Sequence, residues 1–248
     1  MALIWEKKTS DTHYQVRNAG QAVRLYTDGV FHSQYNPRQP VTGNIWELLM
    51  LPALFYQAEE IRRVLVLGVG GGAVIQQLQY FLSPDQITGV ELDEVHLYIA
   101  KKYFKVKDDN IKLHHDDAVK WINKYKGKPF DMIIDDLCGG ESGEPVRAVT
   151  ADSPWVKKLM QHLSPHGVLV SNFITRKELN QSAYLRDKTI RKSFASSFLL
   201  TNPGYENSIV AFLRQHASTA QLREKLVTIP ELNPRLKTSR LKYHIRQI

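Results

Sequence analysis

The chain has 248 residues, of which 43% are hydrophobic and 23% are charged. This composition is typical of a globular protein with a full core, and it excludes a disordered chain, a collagen-like fibre and a disulfide-rich miniprotein. Lysine and arginine outnumber aspartate and glutamate by 33 to 25, and residues 231–248 contain five of the basic residues and one acid. Half of the net charge of +8 therefore belongs to this C-terminal segment.

The sequence pattern gives no signal for secretion or membrane insertion. Cys138 is the only cysteine, so an intrachain disulfide is impossible and nothing indicates an oxidising compartment. The first residues lack the apolar stretch of a signal peptide. The longest apolar segment, 45–55, contains Glu47 and Pro52 and is shorter than the roughly 20 residues of a bilayer span. We therefore expect a cytoplasmic protein with no membrane partner.

The first forty residues alternate between apolar and polar positions, which is typical of antiparallel strands. Asp28-Gly29 lies between two apolar runs, and an Asp-Gly pair in that position indicates a hairpin because both central turn positions favour positive φ. We expect residues 1–42 to form a small antiparallel β region. Its predicted strands are 13–17, 22–27 and 30–34, with a further turn at 18–20.

The rest of the chain alternates between strand and helix patterns. A helix predicted at 44–60 is bent or broken at Pro52, where the ring replaces an amide donor. From Val64 onward, short apolar runs alternate with amphipathic segments, which predicts a doubly wound, Rossmann-like α/β fold with a parallel sheet covered on both faces. We expect this domain at 43–230, followed by a basic tail at 231–248. The predicted strands are 64–67, 86–91, 111–115, 130–135, 167–173, 198–200 and 208–213, and the predicted helices are 73–80, 94–104, 117–124, 153–163 and 176–193.

A glycine-rich loop follows the first strand of this domain, and an acidic residue ends the second strand. Glycines are needed in such a loop because the chain turns tightly and a ligand contacts its backbone. Glu91, about twenty residues further on, can accept hydrogen bonds from ribose hydroxyls. The pair of features predicts a nucleoside-containing ligand, and a glycine-rich turn without a ligand is the simpler alternative. The loop glycines are Gly68, Gly70, Gly71 and Gly72.

Acidic residues also follow the third and fourth strands. Asp117 in Asp116-Asp117-Ala118 can accept a hydrogen bond from the exocyclic amine of adenine, a contact that a nicotinamide dinucleotide site does not need. Asp135 and Asp136 end the fourth strand and point to opposite faces, so at most one of them faces the crevice. Acidic strand ends favour a cationic ligand such as a sulfonium or a polyamine and would repel a pyrophosphate.

These motifs resemble those of the spermidine synthase family, which are aminopropyltransferases built on the class I methyltransferase fold with an added N-terminal β domain. The resemblance rests on Asp28-Gly29-Val30, the helix from Trp46 to Phe55, the glycine motif Val64–Gly72, Glu91 in Val90-Glu91-Leu92-Asp93, and Asp117-Ala118. It implies a small-molecule adenosyl donor, decarboxylated S-adenosylmethionine or S-adenosylmethionine, and suggests a homodimer. The predicted donor contacts are Gly68, Gly70, Gly71, Gly72, Glu91, Leu92, Asp116, Asp117, Ala118 and Asp135.

Asp136 falls at the position of the family's catalytic aspartate. The implied reaction is attack by a polyamine nitrogen on the aminopropyl carbon beside the sulfonium. An ammonium cannot attack, so a carboxylate must take or share its proton, and Asp136 would be that base. An aspartate that merely caps the end of the strand is the structural alternative.

The sequence departs from the family where the family contacts amines. Gly71 stands where the family's loop carries an aspartate, and Leu137-Cys138-Gly139-Gly140 replaces Ser-Ser-Asp-Pro, so a second acceptor carboxylate is missing. We expect a transferase with an altered amine acceptor. Methyl transfer from S-adenosylmethionine and a nucleoside-binding member without catalysis are the alternatives. The predicted acceptor contacts are His32, Gln34 and Tyr205.

Two weaker patterns are not interpreted as binding sites. His114-His115-Asp116-Asp117 does not predict a metal site, because adjacent strand residues face opposite ways and no second ligand pair stands at zinc spacing. The basic tail could track RNA phosphates, with Tyr243 stacking on a base. No RNA-binding module accompanies it, so a solvated or partner-packed tail is favoured. We expect neither a metal nor a nucleic-acid partner.

Overall fold

The N-terminal region is a four-stranded antiparallel sheet in the computed structural model, which describes residues 1–141 and 144–248. The three predicted strands are confirmed, and Asp28 and Gly29 have positive φ angles of 51° and 82°, as the hairpin requires. The outer strand was outside the prediction because its side chains are nearly all exposed and show no alternation. The strands are β1 (Ala2–Lys8), β2 (His13–Ala19), β3 (Ala22–Thr27) and β4 (Val30–Tyr35).

The predicted helix at 44–60 consists of three short pieces. Helix α1 spans Trp46–Met50, and 3₁₀ turns follow at Leu51–Phe55 and Ala58–Glu60. Pro52 lies at the start of the second piece, where its missing amide ends the α-helical ladder. This interruption keeps α1 short between the N-terminal sheet and the main domain.

An eight-stranded sheet forms the centre of the main domain, and the mixed α/β architecture confirms the predicted fold class. Four of its ladders are parallel and three are antiparallel. The strands that follow β4 in the chain, including a two-stranded hairpin of β9 and β10 outside the sheet, are β5 (Arg63–Leu67), β6 (Gln86–Glu91), β7 (Ile111–His115), β8 (Phe130–Asp135), β9 (Cys138–Glu141), β10 (Glu144–Arg147), β11 (Leu163–Phe173), β12 (Ser196–Thr201), β13 (Ser208–Leu213) and β14 (His244–Gln247).

The strand order across the sheet is β14-β12-β13-β11-β8-β5-β6-β7. The chain runs outward from β5 through β6 to β7 and then returns to place β8 on the other side of β5. Such a reversal opens a crevice at the carboxyl ends of the two central strands, where ligands bind in open α/β sheets. The strand order therefore predicts a ligand site at the carboxyl ends of β5 and β8.

Helices cover both faces of this sheet. The strand β5 shows why, since Val64 and Val66 lie in one hydrophobic core while Leu65 and Leu67 lie in the other. The predicted helix at 176–193 is three short helices, because Ser182 takes an extended backbone between the first two and Asp187 between the second and third. The helices after α1 are α2 (Ala73–Phe81), α3 (Glu94–Lys102), α4 (Ala118–Lys124), α5 (Ser153–Gln161), α6 (Arg176–Gln181), α7 (Ala183–Arg186), α8 (Lys188–Lys192) and α9 (Thr219–Val227).

The basic C-terminal segment folds onto the main domain. Leu232 is fully buried and Leu241 nearly so, and β14 pairs with β12 at the edge of the large sheet. The segment's basic side chains are all exposed, namely Arg235, Lys237, Arg240, Lys242 and Arg246. Over the residues that the structure describes, no helix is long and apolar enough to cross a bilayer.

Candidate functional site

A cavity of about 980 Å³ lies at the carboxyl ends of β5, β6 and β8, roofed by the N-terminal sheet and by the hairpin of β9 and β10. We divide its wall into two parts. The glycine-loop half contains Gly68, Val69, Gly70, Glu91, Leu92, Asp93, Asp117 and Ala118, with Tyr14, Thr27, Asp28, His32 and His96 above them; the Asp136 half contains Phe31, Ile45, Trp46, Asp136, Cys138, Asn172, Ile174, Tyr205 and Asn207.

The loop between β5 and α2 depends on glycine at the point where it touches the end of β8. Gly68 has a φ of 85°, and a Cβ there would lie 2.2 Å from the Asp136 carbonyl oxygen. Any other residue would have to push the loop away from β8. The close contact between loop and strand thus brings Asp136 next to the glycine loop.

Glu91 fastens this loop to β6. Its Oε2 accepts hydrogen bonds from the amides of Val69, at 2.8 Å, and Gly70, at 2.9 Å, while Oε1 accepts one from the Asp93 amide at 3.0 Å. Glu91 is 9% exposed and lines the cavity. Glu91, the predicted ribose-binding acid, therefore also stabilises the conformation of the glycine loop.

The end of β7 contributes the next part of the wall. Asp117 and Ala118 line the cavity, and the Asp117 carboxylate caps α4 by accepting a 2.9 Å hydrogen bond from the Lys120 amide. Leu92 is 68% exposed at the cavity rim, where it offers an apolar surface. Asp116 lies behind this wall, with its Oδ1 accepting a 2.8 Å hydrogen bond from the Asp117 amide.

The N-terminal sheet and α3 form a polar cluster over Glu91. Tyr14 donates to Asp93 Oδ2 at 2.8 Å, and Thr27 Oγ1 and His96 Nε2 are 2.8 Å apart. The rings of His32 and His96 lie 5.2 Å apart. Burial, with the neighbouring His96, lowers the pKa of His32 to about 4, so this ring is neutral at pH 7.

Asp136 begins the other half of the wall. Its Oδ1 accepts a 2.8 Å hydrogen bond from Asn172 Nδ2. Burial raises the pKa of Asp136 to about 7, and the hydrogen bond from Asn172 opposes this shift by stabilising the charged form. A carboxyl group that titrates near neutral pH can exchange a proton with a bound amine.

Asp135, its neighbour, points into the protein. It is fully buried and accepts hydrogen bonds from Arg147 Nη2, Trp155 Nε1 at 3.1 Å and Ser171 Oγ at 3.4 Å. Arg147 also donates to the Asn172 carbonyl at 2.6 Å. This buried ion pair connects the hairpin of β9 and β10, through Arg147, to Asp135 at the end of β8, next to Asp136.

Tyr205 and two amides continue the Asp136 half. The Tyr205 hydroxyl donates to Asn44 Oδ1, and Asn207 Nδ2 donates to Asn172 Oδ1 at 3.0 Å. Cys138 lies beside Asp136, and burial raises the pKa of its thiol well above the usual value. The thiol is therefore protonated at neutral pH and is a poor nucleophile.

Several predicted contacts lie away from the wall. Gly71 and Gly72 pack against Phe104 and Val106 rather than facing the cavity, because the loop has already turned into α2. Gln34 is buried and accepts a 2.6 Å hydrogen bond from Arg24 Nε. Alternation along β8 turns Asp135 inward, and Asp116 faces away behind Asp117. The predicted residues in the wall are Gly68, Gly70, Glu91, Leu92, Asp117, Ala118, Asp136, His32 and Tyr205.

Other wall residues were outside the prediction. Tyr14, His96, Asn172 and Asn207 come from four separate segments, and none belongs to a local motif with a chemical signature. Trp46 lies in the helix that carries the family resemblance but was not predicted as a contact. Only the tertiary fold brings them together. Within the described ranges, no group of three or more His, Cys, Asp or Glu is arranged to hold a metal ion.

Comparison with known protein families identifies the family to which the chain belongs. The model of the spermine/spermidine synthase domain matches residues 47–225, which is more than half of the chain. The chain belongs to the spermine/spermidine synthase family. The matched region contains the glycine loop, Glu91, Asp117 and Asp136, and the predicted resemblance to this family is confirmed.

Individual relatives of this spermidine synthase-like chain agree at modest identity. A polyamine aminopropyltransferase of Prochlorococcus marinus is 28% identical over 157 residues, which cover 61% of this chain and 54% of the relative. An eEF1A lysine and N-terminal methyltransferase homolog of Drosophila melanogaster is 31% identical over 129 residues, covering 46% of this chain and 18% of the relative. The chain matches about half the length of the first relative and much less of the second.

Solved structures show the same fold. A probable spermidine synthase from Corynebacterium glutamicum superposes with a TM-score of 0.74 at 15% identity and covers 100% of this chain and 91% of its own. Human methyltransferase-like protein 13, in complex with SAH, gives a TM-score of 0.62 at 20% identity and covers 77% of this chain and 93% of its own. The spermidine synthase-like fold on a methyltransferase-type sheet is thereby confirmed.

Proposed function

We propose that the protein transfers the aminopropyl group of decarboxylated S-adenosylmethionine to an amine, with Asp136 as the base. One observation carries this proposal: among the residues that the structure describes, the cavity is lined by carboxylates without an opposing lysine or arginine. The described part of the wall contains no lysine or arginine. Its acidic residues are Asp28, Glu91, Asp93, Glu94, Asp117 and Asp136.

This charge favours the decarboxylated donor over S-adenosylmethionine. The decarboxylated molecule carries a sulfonium and an ammonium and no carboxylate, whereas S-adenosylmethionine brings a carboxylate that would face the acidic wall. Like charges held close in a cavity cost binding free energy. His32, whose pKa of about 4 leaves it neutral, provides no compensating positive charge at pH 7.

The glycine loop also lacks a free set of amides for an anion. The amides of Val69 and Gly70 donate to Glu91, and the amide of Gly71 donates to Ser33 Oγ at 2.8 Å. Anion sites at glycine loops depend on backbone N–H groups that point at the ligand. Because these three are already bonded within the protein, the loop suits a ribose and a cation better than a carboxylate or a pyrophosphate.

Ser33 also explains the glycine at the position of the family's loop aspartate. A Cβ on Gly71 would lie 2.7 Å from Ser33 Cβ and 2.7 Å from Phe104 Cζ. The space for a side chain is therefore filled by β4 and by the segment after α3. The donor's ammonium would be held by the other carboxylates of the wall.

Asp136 supplies the acid-base chemistry of the proposed reaction. The incoming amine is an ammonium in water, and its proton passes to Asp136 before or during attack. The nitrogen lone pair then forms a bond to the aminopropyl carbon next to sulfur. The carbon–sulfur bond breaks with its electron pair moving to sulfur, which leaves neutral methylthioadenosine. Asp136 returns the proton to solvent.

Methyl transfer from S-adenosylmethionine is the second candidate. The similarity to an eEF1A methyltransferase homolog over 129 residues favours it. It would use the same nucleoside contacts and would place the methyl group, instead of the aminopropyl carbon, opposite Asp136. The two reactions differ in the donor that the cavity must accommodate.

Calorimetry with decarboxylated S-adenosylmethionine, S-adenosylmethionine and methylthioadenosine separates the candidates. We expect the decarboxylated donor to bind at least about tenfold more tightly than S-adenosylmethionine, a difference of about 1.4 kcal/mol. Tighter binding of S-adenosylmethionine would support methyl transfer instead. If none of the three binds at millimolar concentration, the nucleoside proposal is wrong.

Two variants assign roles within the site. Glu91→Ala should abolish donor binding because it removes the ribose acceptor and releases two loop amides. Glu59→Ala, which removes an exposed carboxylate elsewhere, is the matched control and should bind normally. Asp136→Asn should bind the donor but release no methylthioadenosine. A fully active Asp136→Asn protein would remove Asp136 as the base.

A further inference from the structure

The Asp136 half of the wall has a composition unlike that of the glycine-loop half, and this difference bears on the acceptor. Asp136, Asn172 and Asn207 are joined by the hydrogen bonds of 2.8 and 3.0 Å described above. Two residues before Asn207, Tyr205 bonds to Asn44, which precedes Ile45 and Trp46. These contacts connect the residues of the Asp136 half to one another, beginning at the proposed catalytic base, Asp136.

Aromatic and aliphatic side chains dominate this surface. Phe31 and Trp46 meet edge to face with ring centroids 5.1 Å apart. Ile45 also lines the cavity, and so does Ile174, which lies two residues beyond Asn172 on the continuation of β11. An apolar ligand body is stabilised by such a surface because it leaves water on binding.

Asp136 is the single carboxylate among the described residues of this half. Glu47, which follows Trp46 in the sequence, is fully buried and faces the interior. Its Oε1 accepts hydrogen bonds from the Thr42 amide at 2.6 Å and from Gln77 Nε2 at 3.1 Å. The other carboxylates of the cavity wall belong to the ends of β6 and β7, the start of α3 and the turn after β3.

A second ammonium on the acceptor would gain little here. It would leave water for a part of the wall whose described residues include no second carboxylate, and the guanidinium of Arg24 already lies 5.6 Å from the centroid of the Phe31 ring. A second cation there would therefore lack a counter-ion, which is disfavoured. One amine is needed at Asp136 for the reaction, and the surface beyond it offers apolar contacts. The second ammonium of a diamine would lie beside this part of the wall without a carboxylate to pair with.

We propose that the acceptor is a primary amine with a single charged nitrogen on an apolar or aromatic body. This proposal rests on the proposed aminopropyl transfer. In the transfer step the acceptor ammonium gives a proton to Asp136, its nitrogen bonds to the aminopropyl carbon, and the carbon–sulfur bond breaks to release methylthioadenosine. The product is a secondary amine that carries the aminopropyl group.

The proposal is tested with three acceptors, 2-phenylethylamine, n-butylamine and 1,4-diaminobutane. For each amine, chromatography measures the rate at which methylthioadenosine is released from decarboxylated S-adenosylmethionine. We expect kcat/KM to be at least about tenfold higher for 2-phenylethylamine than for the diamine, with n-butylamine between them. A higher kcat/KM for the diamine overturns the acceptor proposal and leaves aminopropyl transfer standing. If no amine yields methylthioadenosine, aminopropyl transfer itself fails, and the acceptor proposal with it.

A binding measurement gives a readout that does not need turnover. Calorimetry of each amine with protein saturated by methylthioadenosine should show tighter binding of 2-phenylethylamine than of 1,4-diaminobutane. Equal binding, or tighter binding of the diamine, contradicts the proposal.

Ile174→Asp adds a second carboxylate to the apolar wall. We expect it to raise the ratio of kcat/KM for 1,4-diaminobutane to kcat/KM for 2-phenylethylamine by about tenfold. The ratio cancels any effect of the new charge on Asp136, since both amines need the same base. Asn180→Asp is the matched control, because it adds the same charge at an exposed position on α6. An unchanged ratio in Ile174→Asp would show that this wall does not select the acceptor.

Discussion

The two halves of the cavity wall are held in place in different ways. In the glycine-loop half, carboxylates bond to backbone amides close in sequence or in the adjacent loop, as Glu91 does to Val69 and Asp117 does to Lys120. In the Asp136 half, side chains bond to side chains from remote segments, an arrangement that the glycine-loop half shows only above Glu91, where Tyr14 bonds to Asp93 and Thr27 to His96. Asn172 lies 36 residues from Asp136, and Asn44 lies 161 residues from Tyr205.

The two halves therefore differ in how far they depend on side chains from remote segments. Backbone amides at a loop and at a helix start hold the carboxylates Glu91 and Asp117 of the first half. The second half depends on which side chains the hairpin, β11 and the segment after β12 present. Substitutions there can change the acceptor without disturbing the nucleoside site, whereas changes at the glycine loop affect both.

The largest expected effect comes from breaking the ion pair beneath the Asp136 half. Arg147→Met leaves Asp135 fully buried without its cation, and loss of one partner from a buried pair costs about 3–5 kcal/mol. Urea unfolding should show this loss. Binding of methylthioadenosine by the folded fraction should change by less than about threefold, because the glycine-loop half keeps its own contacts.

The double variant Asp135→Asn/Arg147→Met is the control for that measurement. It removes the buried charge as well as its partner, so its free energy of unfolding should lie above that of Arg147→Met alone. A loss below about 1 kcal/mol in Arg147→Met would show that the pair does not hold the hairpin in place. A large loss of nucleoside affinity would show that the two halves are not independent.

The same division explains what the sequence could predict. The glycine loop, Glu91 and Asp117 follow from local patterns, because strand ends and helix starts dictate them within a few residues. Asp136 could be placed by strand alternation and family resemblance. Asn172 and His96 could not, since nothing in their neighbouring residues indicates which cavity they reach, and Trp46 was placed only in the helix that carries the family resemblance.

Secondary structure followed a similar rule. Buried strands such as β6 and β8 were predicted with their observed bounds, because their apolar runs are continuous. The edge strand β14 carries no such run, and the apolar residues at the start of β1 are exposed and do not alternate with polar ones, so pairing with a neighbouring strand defines both. The segment 176–193 has helical composition, but the extended backbone of Ser182 and of Asp187 divides it into three, and the Asp187 side chain caps the third helix.

The pH dependence of turnover is the next test. Asp136, with a pKa of about 7, must be ionised to accept a proton, so kcat/KM should rise about tenfold between pH 6 and pH 8. Asn172→Ala removes the hydrogen bond that favours the charged form, so the midpoint should move to higher pH. Donor binding through Glu91 should not follow that midpoint.

Stability should change with pH in the opposite direction. The pKa of Asp136 in the folded protein, about 7, lies above the ordinary value of 3.8, so the folded state retains a proton that the unfolded state loses. This contribution is full below pH 4 and is lost as pH rises through 7. Asp136→Asn should therefore stabilise the protein at pH 8 by about 1–2 kcal/mol, after allowance for water in the cavity, and change little at pH 4. Equal effects at both pH values would contradict the raised pKa.

The smallest expected effect concerns Tyr205, at the far end of the Asp136 half. Tyr205→Phe removes the hydroxyl that donates to Asn44 and leaves the ring in the wall, at a cost of about 1 kcal/mol in positioning. We expect KM for the amine to rise about fivefold while kcat and the affinity for methylthioadenosine stay constant. Tyr26→Phe, which removes a hydroxyl from β3, is the control. A loss of kcat instead would mean that Tyr205 acts in the chemical step, and Asp136 would then not be the only residue of this half that takes part in proton transfer.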